Sequence, residues 1–312
     1  MPTFMTAANN NTVTHRRRCR KSRPYTVHIV LASVVLLMPV IGYFGLQAFE
    51  QKRVFLPDAT MAGTPDGVGL AYQAVELNTM DGETLAAWFL PQPSTNAPVL
   101  LLAHGNNGNI STRLALLALL HRSGAALLIF DYRGYGESSG SPSEAGTYAD
   151  ALAAWLYLTE TRRIAPQRIV IHGRSLGGPV AAWLAAQVEP AGLILESTFT
   201  DMTALGEHHY PWLPVRLIGK LRYPTLDYLA GVQAPVLVIH SPDDELVPFA
   251  HGKALHSAVQ GTADLLILEG NHQSGYRCCP EHYVNGLRQF IDTATAASRL
   301  PSAGAFSPVR SN

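Results

Sequence analysis

Six short runs rich in Val, Ile, Leu and Ala punctuate the chain at 98–104, 126–131, 168–172, 192–197, 234–240 and 264–268. Segments of helical period fall among and after them, at 110–122, 143–162, 177–188, 249–259 and 280–296. A short continuous apolar run suits a strand covered on both faces, and strands alternating with helices build βαβ units around a parallel sheet. Two earlier runs, 69–78 and 84–91, have no helix between them. Met80-Asp81-Gly82 is a turn signal, so this pair is expected to add an antiparallel edge. Ser141 or Ser143 is placed to cap the helix that follows. The pattern predicts one α/β domain with a mostly parallel, eight-stranded sheet flanked by helices.

Ahead of this domain the pattern changes. Residues 1–24 end in a basic cluster of Arg16, Arg17, Arg18, Arg20, Lys21 and Arg23. Residues 25–48 (YTVHIVLASVVLLMPVIGYFGLQA) contain no Asp, Glu, Lys or Arg. A helix of ~20 apolar residues crosses a ~30 Å hydrocarbon core, so 25–48 is expected to be a transmembrane helix. Tyr25, Tyr43 and Phe44 stand near its ends and Pro39 is a site for a kink. The basic flank predicts a cytoplasmic N-terminus and puts the α/β domain, 49–297, on the extracytoplasmic side, the periplasm in a bacterium. A cleaved signal peptide is the competing reading, but the apolar run is long for one and Leu46-Gln47-Ala48 is a poor cleavage site. Residues 298–312, rich in Ser, Pro, Ala and Gly, read as a flexible tail.

The formal net charge of zero gives no reason to expect nucleic acid as a partner. Three cysteines are too few for a disulfide scaffold, and the adjacent Cys278 and Cys279 are read as loop or packing residues in preference to a vicinal disulfide. His208-His209 has no accompanying ligand spacing, so no metal and no cofactor is expected.

In an open α/β sheet, functional residues gather beyond the carboxyl ends of the strands. The run 168–172 is followed by Gly173-Arg174-Ser175-Leu176-Gly177-Gly178 and then a helical segment. Gly-x-Ser-x-Gly in that setting marks a sharp, strained turn that exposes a serine hydroxyl, and small residues two positions either side permit it. Ser175 is therefore the candidate nucleophile, and the free N–H groups at the helix start favour negative charge beside it. A serine needs a base, and the base needs an orienting group. The order Ser, acid, His points to His272, in the loop after the last strand, with His282 as a fallback inside a helical segment. The acid is expected after 234–240. Asp244 is preferred there, Asp243 is read as a turn residue, and Glu196 at the end of the preceding strand is the alternative. Oxyanion donors are assigned to the backbone N–H groups of Leu176 and of Asn106, in the His104-Gly105-Asn106 loop.

The set HGNNGN, DYRGYGESSG, GRSLGG, HSPDDELVP and GNH, in that order, closely resembles the α/β-hydrolase superfamily over about residues 50–297. Within it the chain looks most like single-pass, membrane-anchored, ABHD-type (Bem46-like) serine hydrolases. The resemblance implies the α/β-hydrolase fold, a Ser175, His272 and Asp244 triad, an oxyanion hole at Asn106 and Leu176, and hydrolysis of a carboxylic ester or thioester through an acyl-enzyme. It makes DYRGYG the floor of the pocket. Ser241 stands where many relatives carry glycine, and Gln273 where they often carry Asn. A serine peptidase or amidase of the same fold and a non-catalytic binding module are the alternatives; the intact Ser, Asp and His argue against the module.

About 36 residues separate Thr198 from Pro235, which makes for a small lid. Tyr135, Tyr210 and Trp212 are candidate substrate-binding residues. The apolar cluster around 210–221 fits an acyl chain and ordinary helix packing equally well. Together with the anchor it draws attention to lipid or acylated substrates. Asn109-Ile110-Ser111 matches a glycosylation sequon and is expected to be unmodified, because a glycan there would obstruct the oxyanion loop.

Overall fold

The computed structural model describes residues 24–298. The basic segment 1–23 and the tail from 299 onward lie outside the described residues. Eight strands form the main sheet: β1 (Gln73–Asn78), β2 (Thr84–Leu90), β3 (Val99–Ala103), β4 (Ala126–Phe130), β5 (Ile169–Arg174), β6 (Gly192–Glu196), β7 (Val236–His240) and β8 (Ala263–Ile267). Their order across the sheet is β8-β7-β6-β5-β3-β4-β2-β1. β2 runs antiparallel to both its neighbours, β1 and β4, while the remaining pairs are parallel. The β1–β2 turn holds Gly82 at φ 94°, a conformation that a residue without a Cβ adopts at little cost.

The helices, in chain order, are α1 (Pro24–Val54), α2 (Leu114–Arg122), α3 (Glu144–Leu156), α4 (Gly177–Gln187), α5 (Met202–His209), α6 (Val215–Ile218), α7 (Thr225–Leu229), α8 (Phe249–Ala258), α9 (Gly275–Cys278) and α10 (Pro280–Ala297). The period-two geometry of a strand divides the core in two. On β3, Val99, Leu101 and Ala103 face one cluster with side chains of α3, α4, α7 and α8, while Leu100 and Leu102 face another with α2 and α10. Both faces of the central strands are therefore covered, which is why they read as unbroken apolar runs.

Element ends follow local chemistry. Ser143 is the cap of α3, its hydroxyl accepting from the Gly146 N–H. The helix expected over 143–162 ends as α at Leu156 and continues as a wider π turn over Tyr157–Thr161. The one expected at 110–122 opens with a 3₁₀ turn, Ile110–Arg113. Asn109, the sequon residue, is buried and its amide donates to the carbonyls of Asp58 and Thr60, so it is sealed within the fold. Cys278 and Cys279 are free thiols.

Residues 25–48 fall within α1, which runs on to Val54. Its side chains at 24–27, 30–32, 34–36 and 39–40 lie outside the described set, and among the described residues no helix is long and apolar enough to cross a membrane. The chain divides into two units, Met1–Gly45 and Leu46–Asn312. The last turns of α1 thus belong to the α/β unit. Glu50 fastens them there by accepting hydrogen bonds from the N–H groups of Lys220 and Leu221.

The DYRGYG segment braces the sheet edge. Arg133 pairs with Asp81 in the β1–β2 turn (2.7 Å) and with the fully buried Asp150 of α3 (2.8 Å). Burial pushes the Asp150 carboxyl up to about 6 even though the Arg133 bonds pull it down. Removing one partner of a buried pair strands the other, at a cost of about 3–5 kcal/mol. Arg133→Ala is therefore expected to lose about that much stability in urea denaturation near pH ~8. A carboxyl whose folded-state pKa is raised favours the folded state when protonated, and that advantage fades as pH rises through the folded value. The deficit of Arg133→Ala should accordingly shrink toward pH ~5, where Asp150 takes up a proton; a deficit independent of pH would refute this account.

Candidate active site

β5 ends and α4 begins within three residues, and Ser175 sits between them at φ 53°, in the left-handed region that side chains rarely occupy. The turn is fixed by its surroundings. The Ser175 N–H donates to the Glu196 carbonyl at the end of β6 (2.9 Å), and the Ser175 carbonyl accepts from the Gly178 N–H (2.9 Å) and the Thr198 hydroxyl (2.7 Å). A Cβ on Gly173 would stand 2.2 Å from the Gly177 carbonyl oxygen, and one on Gly177 would stand 2.0 Å from the Ala103 carbonyl oxygen. These contacts are with backbone, which cannot step aside. The two glycines of the motif are required by close packing of the turn on β3 and on its own helix.

The Ser175 hydroxyl lies 3.0 Å from His272 Nε2, and His272 Nδ1 lies 2.8 Å from Asp244 Oδ2. An ionised carboxylate only accepts, so Nδ1 carries the hydrogen and Nε2 is free to accept from the serine. The other Asp244 oxygen accepts from the N–H groups of Leu246 (3.0 Å) and Val247 (2.7 Å). Burial pushes this carboxyl up, but the hydrogen bond and charge of His272, the Val247 N–H and His240 together hold it below its ordinary range. Asp243, one residue earlier, is exposed on the turn.

Two residues that the motif reading passed over hold the His272 backbone from either side. Its N–H donates to the Glu245 carboxylate (3.0 Å), and its carbonyl accepts from the Arg174 guanidinium. Arg174 is anchored in turn on Glu196 (3.1 Å), which also accepts from Tyr283 (2.7 Å) and pairs with His172 (2.9 Å). Burial would raise the Glu196 carboxyl, yet His172, Arg174 and Tyr283 bring it down to about 2. Glu196, the alternative acid, is thus engaged away from His272. The sole sequence signal for Arg174 was its place before the serine. His282 lies on α10 with its ring against the Ile267 carbonyl. Among the described residues no His, Cys, Asp and Glu cluster is arranged to hold a metal ion.

Ser175, Leu176 and Asn106 line a cavity of about 420 Å³. Among the described residues, no hydrogen bond engages the N–H of Leu176 or of Asn106. The three candidate substrate contacts separate. Tyr210 lines the cavity. Tyr135 does not: it is fully buried, with its hydroxyl donating to the Asn106 carbonyl (2.8 Å). Tyr132 likewise donates to the His104 carbonyl (3.0 Å). The DYRGYG tyrosines therefore brace the His104-Gly105-Asn106 loop from behind and are not a pocket floor. Trp212 is 77% exposed on the lid, outside the cavity lining, because the 210–213 turn directs it to solvent.

Residues 98–217 match a family model described as the alpha/beta hydrolase fold. The chain is 36% identical over 282 residues to the uncharacterized protein Rv2307c of Mycobacterium tuberculosis (strain ATCC 25618 / H37Rv), covering 90% of this chain and 98% of that one. It is 32% identical over 302 residues to the alpha/beta hydrolase domain-containing protein WAV2 of Arabidopsis thaliana, covering 88% and 95%. With alpha/beta hydrolase domain-containing protein 17B of Homo sapiens it shares 31% identity over 222 residues, covering 71% and 75%. Among solved structures, the esterase Pf2001 of Pyrococcus furiosus shares the fold, with a TM-score of 0.64 at 21% identity, covering 77% of this chain and 97% of that one. With its strand order, its strand–serine–helix turn and relatives matched over most of their length, this chain belongs to the α/β-hydrolase family.

Proposed function

We propose that this protein is a serine hydrolase that cleaves carboxylic ester or thioester bonds. As Ser175 Oγ adds to the substrate carbonyl carbon, His272 Nε2 takes the hydroxyl proton. The carbonyl oxygen gains the negative charge and meets the unengaged N–H groups of Leu176 and Asn106, where a donor is worth about 3 kcal/mol. The imidazolium, paired with the Asp244 carboxylate, then returns the proton to the departing alkoxide or thiolate as the C–O or C–S bond breaks. Water gives a proton to His272 as it attacks the acyl-Ser175 carbonyl, and His272 then returns that proton to Ser175 Oγ as the C–O bond to the serine breaks and the acid leaves. The observation that carries this reading is the continuous Asp244–His272–Ser175 hydrogen-bond chain opening beside two free donors.

Kinetics on p-nitrophenyl acetate test it. Ser175→Ala should fall to the uncatalysed background while keeping the wild-type melting temperature. Asp244→Asn, which keeps the shape but removes the charge that selects the tautomer, should lower kcat by ~10³–10⁴-fold. Turnover by Ser175→Ala at the wild-type rate removes Ser175 from the mechanism.

We also propose that α1 is a single-pass membrane anchor with a cytoplasmic N-terminus and the α/β unit on the extracytoplasmic side. The apolar run 25–48, the basic residues before it, and the exposed side chains of Ile29, Leu37, Met38, Ile41 and Phe44 support this reading. The full chain should remain in the membrane pellet after alkaline carbonate extraction, and an alkaline phosphatase fused to its C-terminus should be active. Release by carbonate, or an inactive phosphatase beside a fluorescent C-terminal fusion, would overturn it.

A further inference from the structure

The end of α1 is built into the candidate active site. Asn106, whose N–H is the second proposed oxyanion donor, sends its side-chain amide to the carbonyl of Val54, the last residue of α1 (2.9 Å). The Asn106 carbonyl accepts from the Leu56 N–H (3.1 Å), and Leu56–Pro57 pairs in parallel with Asn107–Gly108. On its other side α1 is tied to the lid. The Glu50 carboxylate accepts from the N–H groups of Lys220 (2.8 Å) and Leu221 (3.2 Å), just beyond α6. The helix end therefore bridges the oxyanion loop and the lid, and what it bridges over is the cavity beside Ser175.

That cavity is walled on one side by Leu46, Phe49 and Val54 of α1 and elsewhere by Leu205, Leu213 and Ile218 of the lid. Its lining is predominantly apolar, and its volume of about 420 Å³ is ample for more than an acetyl group. The charged residues of the wall have partners of their own: Glu50 accepts from the two N–H groups above, and Arg53 lies against the Phe49 ring at 5.1 Å. A chain of methylene groups is the ligand such a lining desolvates without stranding a polar partner, and each methylene well placed in an apolar pocket discriminates by about 10–200-fold.

We propose that the last turns of α1 form the acyl-chain wall of the active site, with Leu46 and Phe49 as specificity-determining residues for substrates whose acyl group is an extended apolar chain. This rests on the ester or thioester hydrolase reading above and names the substrate class of that site. The wall residues Leu46, Phe49 and Val54 all lie on the last turns of α1, within the α/β unit.

The test uses the full chain and p-nitrophenyl esters of acetic, octanoic and dodecanoic acid, reading the ratio of kcat/KM for each long ester to that for acetate. The wild type should favour the long esters. Leu46→Trp, which fills the cavity, should cut the dodecanoyl-to-acetyl ratio by ~10-fold or more. Phe49→Ala, at a half-exposed position that tolerates truncation, should move the optimum to a different chain length. Leu217→Trp, on the lid but outside the cavity and 82% exposed, is the control and should leave the ratio at the wild-type value. Unchanged ratios in both wall variants overturn the proposal while leaving the hydrolase reading intact. So does a wild type that turns over the acetate ester with a higher kcat/KM than either long ester. Absence of Ser175-dependent turnover of any ester by the wild type overturns the hydrolase reading and this proposal with it.

Discussion

The backbone of Ser175, held at φ 53°, is the constraint on which the rest of the site depends. A non-glycine residue in that region costs on the order of 1–3 kcal/mol and persists only when its surroundings over-determine it. Here they do. The N–H is taken by the Glu196 carbonyl, the carbonyl by Thr198 and Gly178, and the flanking glycines press against backbone oxygens of Gly177 and Ala103. Three adjacent parallel strands, β3, β5 and β6, thus converge on one residue. The serine hydroxyl is aimed by the sheet itself, before any other side chain of the site is considered.

The same junction positions His272. Glu196 holds Ser175 through its backbone and Arg174 through its side chain, and Arg174 reaches across to the His272 carbonyl. Glu245 takes the His272 N–H from the opposite side. The histidine loop is therefore referenced to the strand end that carries the serine. That shared frame holds Nε2 and Oγ 3.0 Å apart. The His104-Gly105-Asn106 loop is referenced separately, to Tyr135 and Tyr132 behind it and to the end of α1 beside it.

Much of this was legible in the sequence, for physical reasons. Strands covered on both faces must be apolar throughout, so β3 to β7 announced themselves as runs. The turn at Ser175 tolerates only glycine at two positions, so its spacing was explicit. What was not legible acts through backbone or through short elements. α5, α6 and α7 span four to eight residues, too short to display a period. Tyr135 reads as a pocket aromatic until its hydroxyl is seen to serve the Asn106 carbonyl. Arg174 and Glu245 grip backbone atoms of a residue far along the chain, a relation that no local pattern records. The apolar segment was bounded at Ala48, but a helix changes from apolar to polar without breaking, and this one continues to Val54.

Under the proposed function, Ser175 and no other residue forms the covalent acyl-enzyme. The most direct measurement is intact-protein and peptide mass spectrometry of the full chain after reaction with an alkyl fluorophosphonate. The account predicts a single adduct per chain, mapped to the peptide containing Gly173-Arg174-Ser175-Leu176-Gly177. No adduct at saturating reagent, or an adduct on a different serine with Ser175 unmodified, would contradict it.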